Sequence, residues 1–274
     1  MKYGKIPTIA GVLLIIIGVV SGTAITSNIK RLKIGISDEI APKDIRISNI
    51  TDTSFNVSWI TNTKTGGVAK WNATPSNLKE ETKDTIEDPS YTHSVKIKDL
   101  SPSITYYFLI YSNNRSFDNN GIPWQAKTAP KKTARIDTNV ISGSVYDQFN
   151  LPAKNALVYI TVAGSSFLST ITSENGSWVL PISEARTQNL ESFTVIDEYN
   201  TLIEIFVQAG PLGNASAQIY PVSATPAPPI ILGQTHNFKT INSMEEQSPK
   251  AEINFPDGLK NPTFLINKVV PNID

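Results

Sequence analysis

Cysteine is absent from the 274 residues, and histidine occurs only as His93 and His236. The first absence excludes disulfides, thiolate metal sites and a cysteine nucleophile. The scarcity of imidazole makes a multi-histidine metal site or a histidine-based triad hard to assemble. Net charge is also lacking: 24 basic side chains offset 24 acidic ones, whereas a nucleic-acid binder normally advertises a basic surface. Gly-x-Gly-x-x-Gly, Walker, Gly-x-Ser-x-Gly and His-Glu-x-x-His patterns are missing as well. What is present is abundant Asn, Ser and Thr, sparse charge and 18 prolines, a composition that suits extracellular β modules. The expectation is therefore a chain with no catalytic residues, no cofactor and no metal site.

One long apolar run stands at the N-terminus. Residues Ile6 to Ile25 carry no charge, with Lys2 and Lys5 before them and Lys30, Arg31 and Lys33 after. A spanning helix needs about 20 such residues, so 6–26 reads as a transmembrane anchor behind a cytoplasmic stub, 1–5. A cleaved secretory signal, with small residues at Gly22 and Ala24, is the alternative. Basic residues flank both ends, so charge does not set the orientation. The extracellular character of the chain beyond residue 40 does, and both readings export it: single-pass in the cell membrane, or secreted. Residues 27–40 read as a juxtamembrane linker.

From Pro42 the chain alternates in the manner of half-buried strands. Phe55, Val57 and Trp59 share a face, with Ser54, Asn56 and Ser58 between them. His93, Val95 and Ile97 alternate again, as do Tyr106, Phe108 and Ile110. Gly66-Gly67 and Asn119-Asn120-Gly121 signal turns. The carboxylate pairs Glu80-Glu81 and Glu87-Asp88 read as a solvated charged loop rather than as the facing acids of a glycosidase.

Pro42, Trp59 and the Leu100-x-Pro102-x-x-x-Tyr106 corner resemble the fibronectin type III family over residues 41–130. Val68-Ala69-Lys70-Trp71 and the His93 strand look like the variant found in bacterial surface proteins and ahead of some phosphatases. Ile104 stands where that family usually has Thr. The resemblance implies a β-sandwich whose corner tyrosine turns its hydroxyl onto upstream backbone. No Arg-Gly-Asp supports integrin-type adhesion.

If Tyr106, Phe108 and Ile110 point inward, then Tyr107, Leu109 and Tyr111 point outward. With Trp124 beside them they form a candidate interaction face, since exposed apolar patches mark interfaces. Contact with the second module or the stalk and binding of a separate ligand are both compatible with such a stripe.

Residues 131–137 are basic and proline-flanked and read as a linker. Beyond them the β logic repeats over 138–222. Ile141-Ser142-Gly143-Ser144-Val145-Tyr146-Asp147 and Asn175-Gly176-Ser177-Trp178 resemble the carboxypeptidase regulatory-like family, which has a transthyretin-like sandwich and supplies no catalytic residues. Asn150 and Asn155 stand where that family more often has Gly, and Asn tolerates the same left-handed backbone. The module is acidic, but without the clustered Asp-x-Asp loop of a calcium site. Residues 223–250 read as a Pro-rich and polar linker, and 251–274 as a tail or an incomplete β-domain. Asn-x-Ser/Thr occurs at Asn49, Asn56, Asn72, Asn114, Asn175 and Asn214, as a chain of this composition would produce by chance.

The fold expected is all-β: two tandem β-sandwiches, fibronectin type III-like and transthyretin-like, behind an N-terminal transmembrane helix. The function expected is membrane-anchored display or adhesion, with the membrane and a cell-surface protein or polysaccharide as partners and no nucleic acid. Accessory modules of a secreted hydrolase, or a plain structural stalk, are the rivals.

Overall fold

The structure, a computed structural model, describes residues 38–133 and 139–239. The predicted 6–26 span, most of the 131–137 linker and the 251–274 tail lie outside the described residues. Among the described residues no helix is long and apolar enough to cross a membrane. Those residues are all-β.

Eight strands build the first sandwich: β1 (Lys43–Ser48), β2 (Phe55–Thr65), β3 (Gly67–Asn72), β4 (Glu80–Lys83), β5 (Ser90–Ile97), β6 (Thr105–Ser112), β7 (Arg115–Phe117) and β8 (Trp124–Lys127). One sheet runs β1-β2-β5; the other runs β4-β3-β6-β7, with β8 also paired to β6. The expected alternation is what closes them. Phe55, Val57, Trp59, Val95 and Ile97 meet Phe108 and Ile110, all fully buried. Each such side chain contributes about 1.5–3 kcal/mol of burial. The Tyr106 hydroxyl accepts the Ser101 backbone N–H at 2.9 Å, which is the predicted corner.

One local expectation needs correction, and one hairpin was not foreseen. Glu80-Glu81 is not a solvated loop but β4, paired with β3, where Glu81 reaches Lys70 at 3.6 Å and Thr82 accepts the Trp71 indole N–H at 2.9 Å. A charged sequence suffices there because only one face of this strand is covered. Immediately after β6, Asn113 and Asn114 take φ of 46° and 66° and fold β7 back as a hairpin; two adjacent asparagines at positive φ are a known hairpin device.

The second sandwich holds β9 (Val140–Tyr146), β10 (Leu157–Val162), β11 (Leu168–Ile171), β12 (Ser177–Pro181), β13 (Ile203–Gln208), β14 (Asn214–Ile219), β15 (Ile230–Ile231) and β16 (Thr235–Asn237). Its sheets run β11-β10-β13-β14-β16 and β12-β9-β15. Asn150 and Asn155 take φ of 62° and 60°, as their turn positions require. The linker expected at 223–250 is instead, as far as residue 239, part of this sandwich. Ala224, Ala227, Ile230 and Leu232 are buried in its core, β15 pairs in parallel with β9, and β16 with β14. Strands of two and three residues carry no readable period.

The sandwiches pack directly on each other through the outer side of β1-β2-β5. Ser48 and Ser169 hydroxyls lie 2.7 Å apart, and Ser58 and Tyr159 hydroxyls 2.9 Å apart. Asn49 imitates a strand: its amide donates to the Ser169 carbonyl (2.9 Å) and accepts the Ser169 N–H (2.8 Å). Arg46 spreads over the Tyr159, Phe206 and Phe167 rings, 4.8, 4.7 and 5.6 Å from their centroids. Gln208 donates to Asp44 at 3.0 Å.

Candidate interaction face

The outer side of the β6 sheet carries the predicted stripe. Tyr107, Leu109 and Tyr111 are half-buried, whereas Tyr106, Phe108 and Ile110 are buried inside. The register sets Asn72, Lys70 and Val68 of β3 opposite Tyr107, Leu109 and Tyr111. Lys70 stands 5.0 Å from the Tyr111 ring centroid while paired to Glu81. Four residues along a strand separate the two tyrosines by about 13 Å. The stripe is thus an apolar line with a polar and charged rim.

Trp124 does not extend it in the manner expected. In the sheet Gln125 stands opposite Tyr107, and Trp124 opposite Phe108, with their rings stacked at 6.1 Å. Parity decides this: the β8 register turns Trp124 and Ala126 to the core, and a strand cannot show both neighbours to one face. Trp124 nevertheless meets Tyr107 at the rim of a cleft of about 420 Å³, with Pro75, Ile122 and Pro123. A second cleft, about 740 Å³, holds Tyr111, Lys83, Glu87, Asn113 and Asn114 at the other end of the stripe. The stripe therefore links two clefts.

The second module does not cover this face. Its contacts fall on β1, β2 and β5, the other sheet, so the expected packing of the stripe against that module is not what the fold uses.

A buried polar cluster lies behind the second cleft, and sequence reasoning missed it. His93 Nδ1 is 2.6 Å from Asp84 Oδ2, and His93 Nε2 is 3.0 and 3.2 Å from the Thr65 and Thr61 hydroxyls. The imidazole stacks on Trp59 with centroids 4.9 Å apart. An acid–imidazole–hydroxyl order is thus assembled from one of only two histidines. Both threonine hydroxyls sit in residues that are 1–2% exposed, so no substrate reaches them and the cluster is a structural lock. Gly67 makes it fit: a Cβ there would stand 2.8 Å from Asp84 Oδ2 and from Trp59 Cζ2. The readable signal was His93 itself, an inward position that needs a buried partner. Among the described residues no group of three His, Asp or Glu side chains converges as for a metal ion.

The family match falls on the first sandwich. Residues 42–129 match the family described as purple acid phosphatase, N-terminal domain. No curated protein matches the sequence. Among solved structures, a purple acid phosphatase, PPD1, from yellow lupin (Lupinus luteus) seeds is 19% identical, over 39% of this chain and 22% of that one, with a TM-score of 0.25. The sensor domain of the anti-sigma factor RsgI4 in Pseudobacteroides cellulosolvens is 20% identical over 32% of this chain and 98% of its own, TM-score 0.24. The FN1–FN3 domains of chicken CNTN1 are 15% identical over 70% and 66%, TM-score 0.26. The matched family is the non-catalytic N-terminal part of its enzymes, and its sandwich is the one that bears the β6 stripe.

Proposed function

We propose that this chain is a non-catalytic, membrane-anchored display protein whose β6 face recognises a cell-surface partner. The observation that carries the reading is the outward Tyr107–Leu109–Tyr111 line, which the second sandwich leaves uncovered by packing on the opposite sheet. An apolar line with a polar rim has the anatomy of a protein-binding patch. The apolar 6–26 run supports the anchor, with the sandwiches outside the cell membrane. The Ile141–Asp147 strand and the turns at Asn150, Asn155 and Gly176 support a carboxypeptidase regulatory-like identity for the second sandwich. The test is binding of the full chain to whole cells and to surface proteins, with Tyr107→Ser plus Tyr111→Ser as the variant. Loss of binding with unchanged thermal unfolding supports the reading; unchanged binding sinks it. Fractionation with N-terminal sequencing tests the anchor, since a soluble mature chain starting near Ile25 would remove it.

A second reading is favoured by the match of residues 42–129 to the purple acid phosphatase N-terminal domain. In it, the sandwiches are accessory modules that position a hydrolase. Purification of the full chain from its native source, followed by a phosphatase assay of the bound fraction, separates the two: co-purifying activity that the β6 variant releases supports this one.

A further inference from the structure

The four tryptophans of the chain meet three different fates. The Trp71 indole N–H donates to Thr82 at 2.9 Å, and those of Trp59 and Trp178 are buried with no acceptor. The Trp124 indole N–H has no acceptor among the described residues either, yet it is not buried. The Trp124 ring stacks on Phe108, and its remaining surface lines the cleft of about 420 Å³ at the Tyr107 end of the stripe. An indole N–H can donate but cannot accept, so this cleft offers a free donor beside an aromatic wall.

The walls of the cleft are fixed by the fold. Its floor is the outward pair Tyr107 and Gln125, opposite each other in the β6–β8 register. On the β8 side stand Ile122, Pro123 and Trp124. The turn before them is closed by the Asn119 N–H donating to the Ile122 carbonyl at 2.8 Å, with φ of 54° at Asn120 and 91° at Gly121. On the β3 side stands Pro75, in a turn closed by the Asn77 N–H to the Thr74 carbonyl at 3.1 Å. None of the lining residues is charged, so an acidic or basic ligand meets no counter-charge there. The Tyr107 hydroxyl and the Asn119 and Gln125 amides have no hydrogen-bond partner among the described residues, and each of them can donate.

An uncharged ligand with apolar rings and an excess of acceptors matches this lining. A sugar hydroxyl brings a donor with every acceptor, and its donor finds nothing at the Trp124 N–H. A proline brings a carbonyl and no N–H. In the polyproline II form its carbonyls make no internal bonds, and the preformed helix loses little entropy when it docks in an aromatic-lined groove. One turn of that helix advances about 9.3 Å. From β3 across β6 to β8 is about 9.6 Å, so a single turn reaches from the Pro75 wall to the Trp124 wall.

We propose that this cleft binds an uncharged proline-rich segment in the polyproline II form. The proposal rests on the display reading for the choice of the β6 face, and adds the chemistry that its Tyr107 end recognises.

The experiment is a titration of the full chain with decaproline, with a glycine–serine decamer and cellohexaose as comparisons, beside the whole-cell binding assay. Decaproline should bind and the decamer should not. Trp124→Phe keeps an aromatic ring and removes the indole N–H, and should weaken decaproline binding by about tenfold; Tyr107→Phe should weaken it by about threefold. The second variant removes only a hydroxyl that the folded chain does not use, so it keeps the test valid if Trp124→Phe unfolds. Failure of decaproline to bind at millimolar concentration overturns the proposal. So does tighter binding of cellohexaose, equal binding of the decamer, or undiminished affinity in both variants. Cell binding that Tyr107→Ser plus Tyr111→Ser abolishes, with no binding of decaproline, overturns this proposal and leaves the display reading standing. Decaproline binding that both variants weaken, with no cell binding, supports the cleft and sinks the display reading.

Discussion

The hydroxyl of Tyr159 meets that of Ser58 at 2.9 Å, joining two sandwiches through residues 101 positions apart in the chain. Burial, only partly offset by the Ser58 bond and the Arg46 charge, pushes the Tyr159 phenol up to about 12 from 10.0. The folded chain thus keeps a proton that the unfolded chain sheds earlier. Between those two values the native state binds more protons, so stability is complete below about 10 and falls as pH rises towards about 12, by about 2–3 kcal/mol in all. Tyr159→Phe should remove this alkaline loss while costing about 1 kcal/mol at neutral pH. Urea midpoints of both proteins across the alkaline range measure it.

Gly66 and Gly67 are adjacent, yet only the second is constrained. A Cβ on Gly66 meets nothing within 4 Å, while one on Gly67 meets the Asp84, Trp59 and His93 side chains below 3.0 Å. Gly67→Ala should destabilise by about 1–3 kcal/mol, and Gly66→Ala by no more than about 0.5 kcal/mol. Thermal unfolding of the pair reads the difference.

Asp84 also holds the backbone N–H groups of Ile86 and Ser94, at 3.1 and 3.0 Å. Asp84→Ala should strand the His93 imidazole and both amides and cost about 3–5 kcal/mol. Chemical unfolding should find it the most damaging carboxylate substitution in the first sandwich, well beyond Glu81→Ala, whose exposed pair with Lys70 is worth about 0–1 kcal/mol.

Ile230 is fully buried in the second core. Ile230→Ala should cost about 2–5 kcal/mol, and deletion of 221–239 should prevent the second sandwich from folding. A true spacer would tolerate both. Limited proteolysis and circular dichroism distinguish the outcomes.

How much of this was legible differs from residue to residue. Phe55-x-Val57-x-Trp59 and the Tyr106 corner are local patterns, and local patterns survive into the fold. Trp124 was misplaced because its face depends on the register set by the loop before β8, which sequence does not number. Asp84 was hidden in a charged run, where nothing distinguishes the one carboxylate that turns inward. In β10, Leu157 and Tyr159 occupy outward positions yet are 1% exposed. An apolar pair on the wrong face was the available sign that another sandwich lies against it. Ser48, Ser58 and Asn49 gave no such sign, since polar residues on an outer face read as solvated. For the β6 stripe, the alternation located Tyr107, Leu109 and Tyr111, but the choice of which sheet the second sandwich would cover was a tertiary matter.

The seam of serines, asparagine and arginine between the sandwiches has a mechanical meaning. Its bonds tie positions as distant as Ser48 and Ser169, 121 residues apart, while the covalent route between the sandwiches runs through the short stretch from Ala129 to Val140. A pull that draws the two sandwiches apart is therefore borne by the seam. Parting the seam would dissipate work with both folds intact. Its polar faces, once wetted, could close again when the load is released.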